Sequence, residues 1–227
     1  MLFYILLGVV GVVLIIGLFI VNLVNNAVVK SIHLMVDANP FLRENINGVG
    51  QLEGHPGYAD RRAWAEANEF EPELHASTNA TLDGSSIDVA VWKNAYKNTC
   101  MASYTGGGKV TCEFVTTLGE DGGLTTSNAL DSVLFPSRPT HYTQAFDGAE
   151  LSELYKQHEE ALLFLLEKKK LVPVDRQGET LAQIEESVQL QCAFIQSLPL
   201  WKFSGAYWYF VRRPRLKNKS IAERYSD

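Results

Sequence analysis

The sequence predicts an α+β protein with one N-terminal transmembrane helix, followed by a compact domain of antiparallel β-hairpins and a C-terminal helical hairpin. Three observations predict it. The chain opens on an apolar run, with no charged side chain before Lys30. Its middle alternates apolar and polar residues between glycine-rich turns, the pattern of half-buried strands. Two late segments carry apolar residues at helical spacing. The chain then divides into an anchor (1–24), a membrane-proximal helix with an acidic, loop-rich linker (25–86), a β-rich region (87–146), and a helical region with an aromatic and basic tail (147–227).

The anchor comes first. Between residues 2 and 24 only Gly8, Gly11, Gly17 and Asn22 interrupt the apolar run. At 1.5 Å per residue this stretch makes a helix of roughly 34 Å, enough for a hydrocarbon core of about 30 Å. A backbone in lipid must satisfy its own hydrogen bonds, so a single span must be helical. Leu2, Phe3, Leu14, Ile15, Ile16, Leu18, Phe19 and Ile20 are its expected membrane-anchor residues. A cleaved signal peptide would carry a basic start, a shorter apolar core and a small-x-small site, and none is apparent. The N-terminal flank has no basic side chain, so the positive-inside rule places the bulk of the chain in the cytoplasm.

Residues 25–36 extend the helix, with Val28, Val29, Ile32 and Met35 on one side. Asn39-Pro40 should end it, because proline disfavours helix in the residue before it. Gly48 to Gly57 reads as irregular, Ala59 to Phe70 as a short helix with Trp64 inward, and Ala76 to Ser86 as a loop. Strands are expected at Ile87–Lys93, Thr99–Tyr104 and Lys109–Leu118, and shorter extended pieces near Leu124–Thr126 and Ser132–Phe135. A turn centred on Gly106 would place Cys100 opposite Cys112 and make Cys100, Ala102, Tyr104, Val110, Cys112 and Phe114 the core face. In an extracytoplasmic compartment that pair could form a disulfide; in the cytoplasm both would be reduced core thiols. Asp147 with Glu150 resembles a capping box for a helix that Lys168 to Lys170 close. Leu181, Ile184, Val188, Cys192 and Ile195 mark the second helix.

Composition bounds function by exclusion. The 227 residues carry a net charge of -6, 46% hydrophobic residues and 3 Cys. That is too apolar for a disordered chain and too cysteine-poor for a disulfide scaffold. It lacks a basic nucleic-acid footprint, so no nucleic-acid partner is expected. Gly106 to Lys109 fails as a phosphate loop, since Ser103 and Val110 occupy positions that loop requires as Gly and Ser/Thr. No cofactor fingerprint and no metal-ligand spacing is present, although His55 and His75 lie among acids.

The expected function is therefore that of a single-pass accessory or assembly protein, binding lipid through residues 1–24 and a partner protein at the membrane surface. The alternative is a membrane-anchored hydrolase or thiol-dependent enzyme, using His141 or His158 with a cysteine. Trp201, Tyr207, Trp208, Tyr209, Arg212, Arg213 and Arg215 form a candidate lipid interface, because aromatic rings suit the headgroup level and basic clusters suit anionic leaflets.

Overall fold

Residues 2–37 contain no proline, and they wind into one helix, α1 (Leu2–Asp37), about 54 Å long. The computed structural model describes residues 2–38, 40–44, 54, 55, 57–175 and 180–226, with side chains from Val10 onward. Most of the glycine-rich stretch from Gly48, and the side chains of Leu2 and Phe3, lie outside the described residues. Along α1 the large side chains from Val10 to Leu23 are exposed, whereas Asn25, Val28 and Ile32 are buried. The buried residues recur every three or four positions and so share one face. This is one helix long and apolar enough to cross a membrane, with a mean hydropathy of 2.4 in its most apolar window.

The rest of the domain is built on a sheet of seven strands among the described residues, in sequential order. They are β1 (Arg43–Glu44), β2 (Glu71–Thr78), β3 (Ile87–Asn94), β4 (Thr99–Gly106), β5 (Lys109–Leu118), β6 (Gly122–Ser127) and β7 (His141–Ala145). Each of the first six pairs antiparallel with the next; β7 runs parallel to β6, from Gly123 opposite His141 to Ser127 opposite Ala145. The fold class is the α+β one read from the sequence. Two strands, β1 and β2, were unexpected, since both lie in the stretch read as acidic linker and loop, and β7 forms the sheet edge just after Pro136 and Pro139, residues that confine a chain to a loop or a sheet edge. Ser132–Phe135, expected to be extended, begins within a 3₁₀ turn, Leu130–Val133.

The β4–β5 register also differs from expectation. Gly106 pairs with Lys109, leaving Gly107 and Gly108 as a two-residue loop with φ of 56° and 72°. That is the left-handed geometry hairpin loops of this length require, and glycine adopts it freely. The turn centre thus lies further along than Gly106, and facing positions move by three. An odd shift exchanges the faces of one strand relative to the other. Ser103 faces Cys112, and Cys100 faces Val115. The two cysteines point to opposite sides of the sheet, and all three cysteines are free. Side chains directed to opposite faces cannot be bridged without moving the backbone. Mass spectrometry without reduction should find no Cys100–Cys112 crosslink even after mild oxidation.

One sheet face, with Ala90, Trp92, Met101, Cys112 and Phe114, packs under α2 (Tyr58–Ala67) and α3 (Leu151–Lys169). Trp64 packs inward there as expected, edge-on to Tyr155 at 5.4 Å. The other face, with Leu74, Ala76, Val89, Val91 and Ala102, packs against Leu181 and Ile184 of α4 (Thr180–Ser197). The two long C-terminal helices therefore clasp the sheet from opposite sides instead of pairing as a hairpin. Both carry one apolar stripe, and a stripe does not specify which sheet face it covers. The cap of α3 is Glu150, not Asp147. Gly148, at φ 72°, turns the chain, and Asp147 instead meets Lys217 at 2.7 Å.

After α4 comes a 3₁₀ turn, Trp201–Phe203, then a helix over residues 205–216 (α5) whose middle, Trp208–Arg212, winds as a π-helix. A last helix, α6 (Ile221–Tyr225), is closed at its start by a capping box between Ser220 and Glu223.

Candidate functional site

Between α4 and the sheet lies a cavity of about 220 Å³. The sheet supplies its floor in rows. Lys93, Cys100, Val115 and Thr125 are successive neighbours across β3 to β6, and Thr117, Gly123 and His141 form the next row. Ile184, Ser187 and Val188 of α4 roof it. Five strands and a helix contribute, which is why no local motif announces it.

Its titratable groups are held uncharged or paired. Lys93 is balanced by Asp175 at 3.1 Å. The Cys100 thiol is pushed up to about 11, chiefly by burial, with Lys93 pulling weakly the other way. Tyr104 donates to Glu113 Oε1 at 2.5 Å. Burial raises the Glu113 carboxyl above its ordinary range, outweighing the hydrogen bond from Tyr104, and also raises the Tyr104 hydroxyl. Both side chains keep some exposed surface, and both line the cavity. The His141 imidazole is lowered to about 4 by burial first and by Arg138 second. At neutral pH the cavity therefore offers a thiol, a neutral imidazole and hydroxyls, not a thiolate–imidazolium pair.

Gly123 makes room for this histidine. A Cβ there would sit 2.7 Å from His141 Cε1 and Nδ1, while Nε2 shares a hydrogen bond of 2.9 Å with Thr125 Oγ1. Gly123→Ala is expected to displace the ring and break that bond, costing about 1–3 kcal/mol. The check is urea unfolding, together with NMR of the His141 ring proton, whose exchange with water should be faster in the variant.

The remaining candidate residues do not line the cavity. His158 is fully buried and bonded at both ring nitrogens, to Thr116 at 2.8 Å and Thr126 at 3.0 Å. Cys112 and Cys192 are buried, with burial raising both thiols. His55 meets Asp88 at 3.3 Å, and His75 shares a hydrogen bond of 3.3 Å with Tyr58. Among the described residues no group of three His, Cys, Asp or Glu side chains is placed to hold a metal ion.

The candidate lipid interface is split by the fold. Trp201 and Trp208 turn inward and pack with Ile195 on Val28 and Ile32 of α1. Tyr207, Tyr209 and Arg215 are exposed. Arg213 pairs with Asp131 at 2.8 Å, and Arg212 donates to the Phe135 carbonyl at 3.5 Å. Leu200, Phe203 and Phe210, outside the sequence-based set, are also exposed. The junction itself is tight. The Ala206 N–H donates to Asn25 Oδ1 at 2.8 Å, and a Cβ on Gly205 would meet Val28 Cβ at 2.9 Å.

Comparison with known proteins adds no relative: no family model, no curated protein and no solved structure matches the chain.

Proposed function

We propose that this chain is a single-pass membrane protein whose domain acts as an accessory or assembly module, binding a partner protein at the membrane surface from the cytoplasmic side. The observation that carries the reading is the mounting of the domain on its own anchor. The exposed apolar length of α1 ends where the buried residues Asn25, Val28 and Ile32 begin. A domain clamped to its anchor in this way has a fixed attitude to the bilayer and presents the same surface to every neighbour in the membrane. A flexible tether would not do this. Support for binding over thiol–histidine catalysis comes from the cavity, where burial keeps the Cys100 thiol protonated and leaves His141 too weak a base to take its proton.

Mild-detergent purification of the full chain from its native membrane, after crosslinking, tests the reading. A stoichiometric co-purifying protein is expected; an isolated monomer counts against it. An engineered protease site at Ser86, exposed in the β2–β3 connection, reports the side of the membrane. Resistance in sealed cells and cleavage after lysis is the expected result.

A further inference from the structure

The face of the domain beside the anchor exposes large apolar side chains. Leu200 is 74% exposed, Phe203 73%, Tyr207 55% and Phe210 51%. Leu200, Phe203, Tyr207 and Phe210 all fall within one short run, residues 200–210, from the 3₁₀ turn into the π-wound part of α5. Scattered exposed hydrophobics are ordinary, but a contiguous set of this size marks an interaction surface. The same segment spends its tryptophans inward: Trp208 packs edge-on to Phe135 at 5.8 Å, and Trp201 is buried against α1.

Two facts identify the occupant. Gly205 and Ala206 lie against Asn25 and Val28, so α5 starts at the level where the exposed apolar length of α1 ends. Three of the six basic side chains from Lys202 to Lys219 are engaged within the domain, Arg213 by Asp131, Arg212 by the Phe135 carbonyl and Lys217 by Asp147, whereas Lys202, Arg215 and Lys219 are exposed. The headgroup–acyl boundary would find aromatic and aliphatic surface at its own level, while half of the nearby cations already have partners inside the domain.

We infer that Leu200, Phe203, Tyr207 and Phe210 insert into the interfacial layer of the bilayer that α1 spans, binding lipid through apolar contact and not through anionic headgroups. The inference rests on the reading of α1 as a membrane span. It makes the domain a body held on the membrane at two points, the helix and this aromatic face.

The test uses the full chain in nanodiscs of phosphatidylcholine carrying a nitroxide near the headgroup end of its acyl chain. Single cysteines at Phe203→Cys, Phe210→Cys, Leu18→Cys and Tyr96→Cys, in a background of C100S, C112A and C192A, carry an environment-sensitive fluorophore. Phe203, Phe210, Leu18 and Tyr96 are all exposed, so none of these four replacements opens the core. Quenching at positions 203 and 210 at least about threefold greater than at position 96 is expected, as for an interfacial aromatic belt. Quenching at 18 with none at 203 and 210 overturns the inference and leaves the membrane span standing. Absence of quenching at 18 overturns the span itself. Quenching at 203 and 210 that appears only when phosphatidylserine is added overturns the apolar basis. In the unsubstituted chain, photoactivatable phosphatidylcholine should label peptides within residues 200–212, and absence of such adducts overturns the inference without any mutation.

Discussion

Gly205→Val is expected to lower domain stability by about 2–3 kcal/mol and to loosen the domain from α1. At this crossing a Cβ would lie 2.9 Å from Val28 Cβ, 3.0 Å from Val28 Cγ2 and 3.1 Å from Asn25 Cα. Asn25 Cα is main chain and cannot swing away, so α1 and α5 must move apart. Separation then stretches the buried hydrogen bond from the Ala206 N–H to Asn25 Oδ1. Two polar groups sealed from water lose each other, and each unmade bond of this kind costs about 1–3 kcal/mol. Asn25→Ala should reproduce part of the effect without any steric push, since it leaves the Ala206 N–H unpaired. Gly17→Ala is the control, because nothing lies within 4 Å of a Cβ there. Urea unfolding of the full chain in mild detergent checks the stabilities. Hydrogen exchange at residues 205–208 checks the clamp, where Gly205→Val should accelerate exchange far more than Gly17→Ala. Equal exchange in the two variants would mean that the junction does not hold the domain.

How far such contacts were legible beforehand depended on whether their signal was local. The apolar stripe of residues 28–35 identified the buried side of α1 because helical periodicity is a property of the segment alone. Leu151–Lys169 was found for the same reason, and Lys109–Leu118 by its strand composition beside a glycine turn. The β4–β5 pairing went wrong over one turn. Three consecutive glycines admit several centres, and choosing Gly106 over the Gly107–Gly108 loop exchanged the faces of Cys112 and Phe114 relative to β4. Strand β2 hid behind Glu71 and Glu73; its alternation of buried Leu74, Ala76 and Thr78 was masked by small side chains. Strand β7 and the opposite placement of α3 and α4 are long-range choices that no window of sequence encodes. The cavity was missed because His141, Glu113, Cys100 and Ser187 come from four elements, and the threonines bonded to His158 read as ordinary strand residues.

Those threonines set the protein's expected response to acid. A buried chain of hydrogen bonds crosses the sheet under α3. Gln144 Nε2 donates to Thr126 Oγ1 at 2.9 Å, Thr126 meets His158 Nδ1 at 3.0 Å, His158 Nε2 meets Thr116 Oγ1 at 2.8 Å, and Thr116 meets Thr99 Oγ1 at 2.8 Å. Thr99 donates onward to the Lys97 carbonyl at 3.2 Å. The ends fix the direction. The Gln144 amide is oriented by its Oε1, which accepts from the Ile221 N–H at 2.8 Å, so Nε2 can only donate. A carbonyl can only accept. Each hydroxyl therefore passes its proton the same way, and His158 must be neutral with its hydrogen on Nε2. A proton on Nδ1 would oppose the Thr126 hydroxyl, inside a site that already penalises charge.

Burial lowers His158 to about 3 from the ordinary 6.5. The unfolded chain thus binds more protons than the folded one between these values. Stability is full above about pH 6.5 and is lost as pH falls toward 3, by an amount on the order of 4 kcal/mol. His141, lowered to about 4, contributes with the same sign. Glu113 has the opposite sign, because a raised carboxyl favours the folded state at low pH and loses that contribution as pH rises above 4.5. Urea unfolding at pH 7, 5 and 4 should show a steep fall for the wild type. His158→Gln keeps a donor and an acceptor but cannot titrate, so it should be less stable at pH 7 and show a visibly shallower fall. Glu113→Gln should leave the acid limb in place and, if anything, steepen it. Parallel pH profiles for the wild type and His158→Gln would show that the buried imidazole is not what acid attacks.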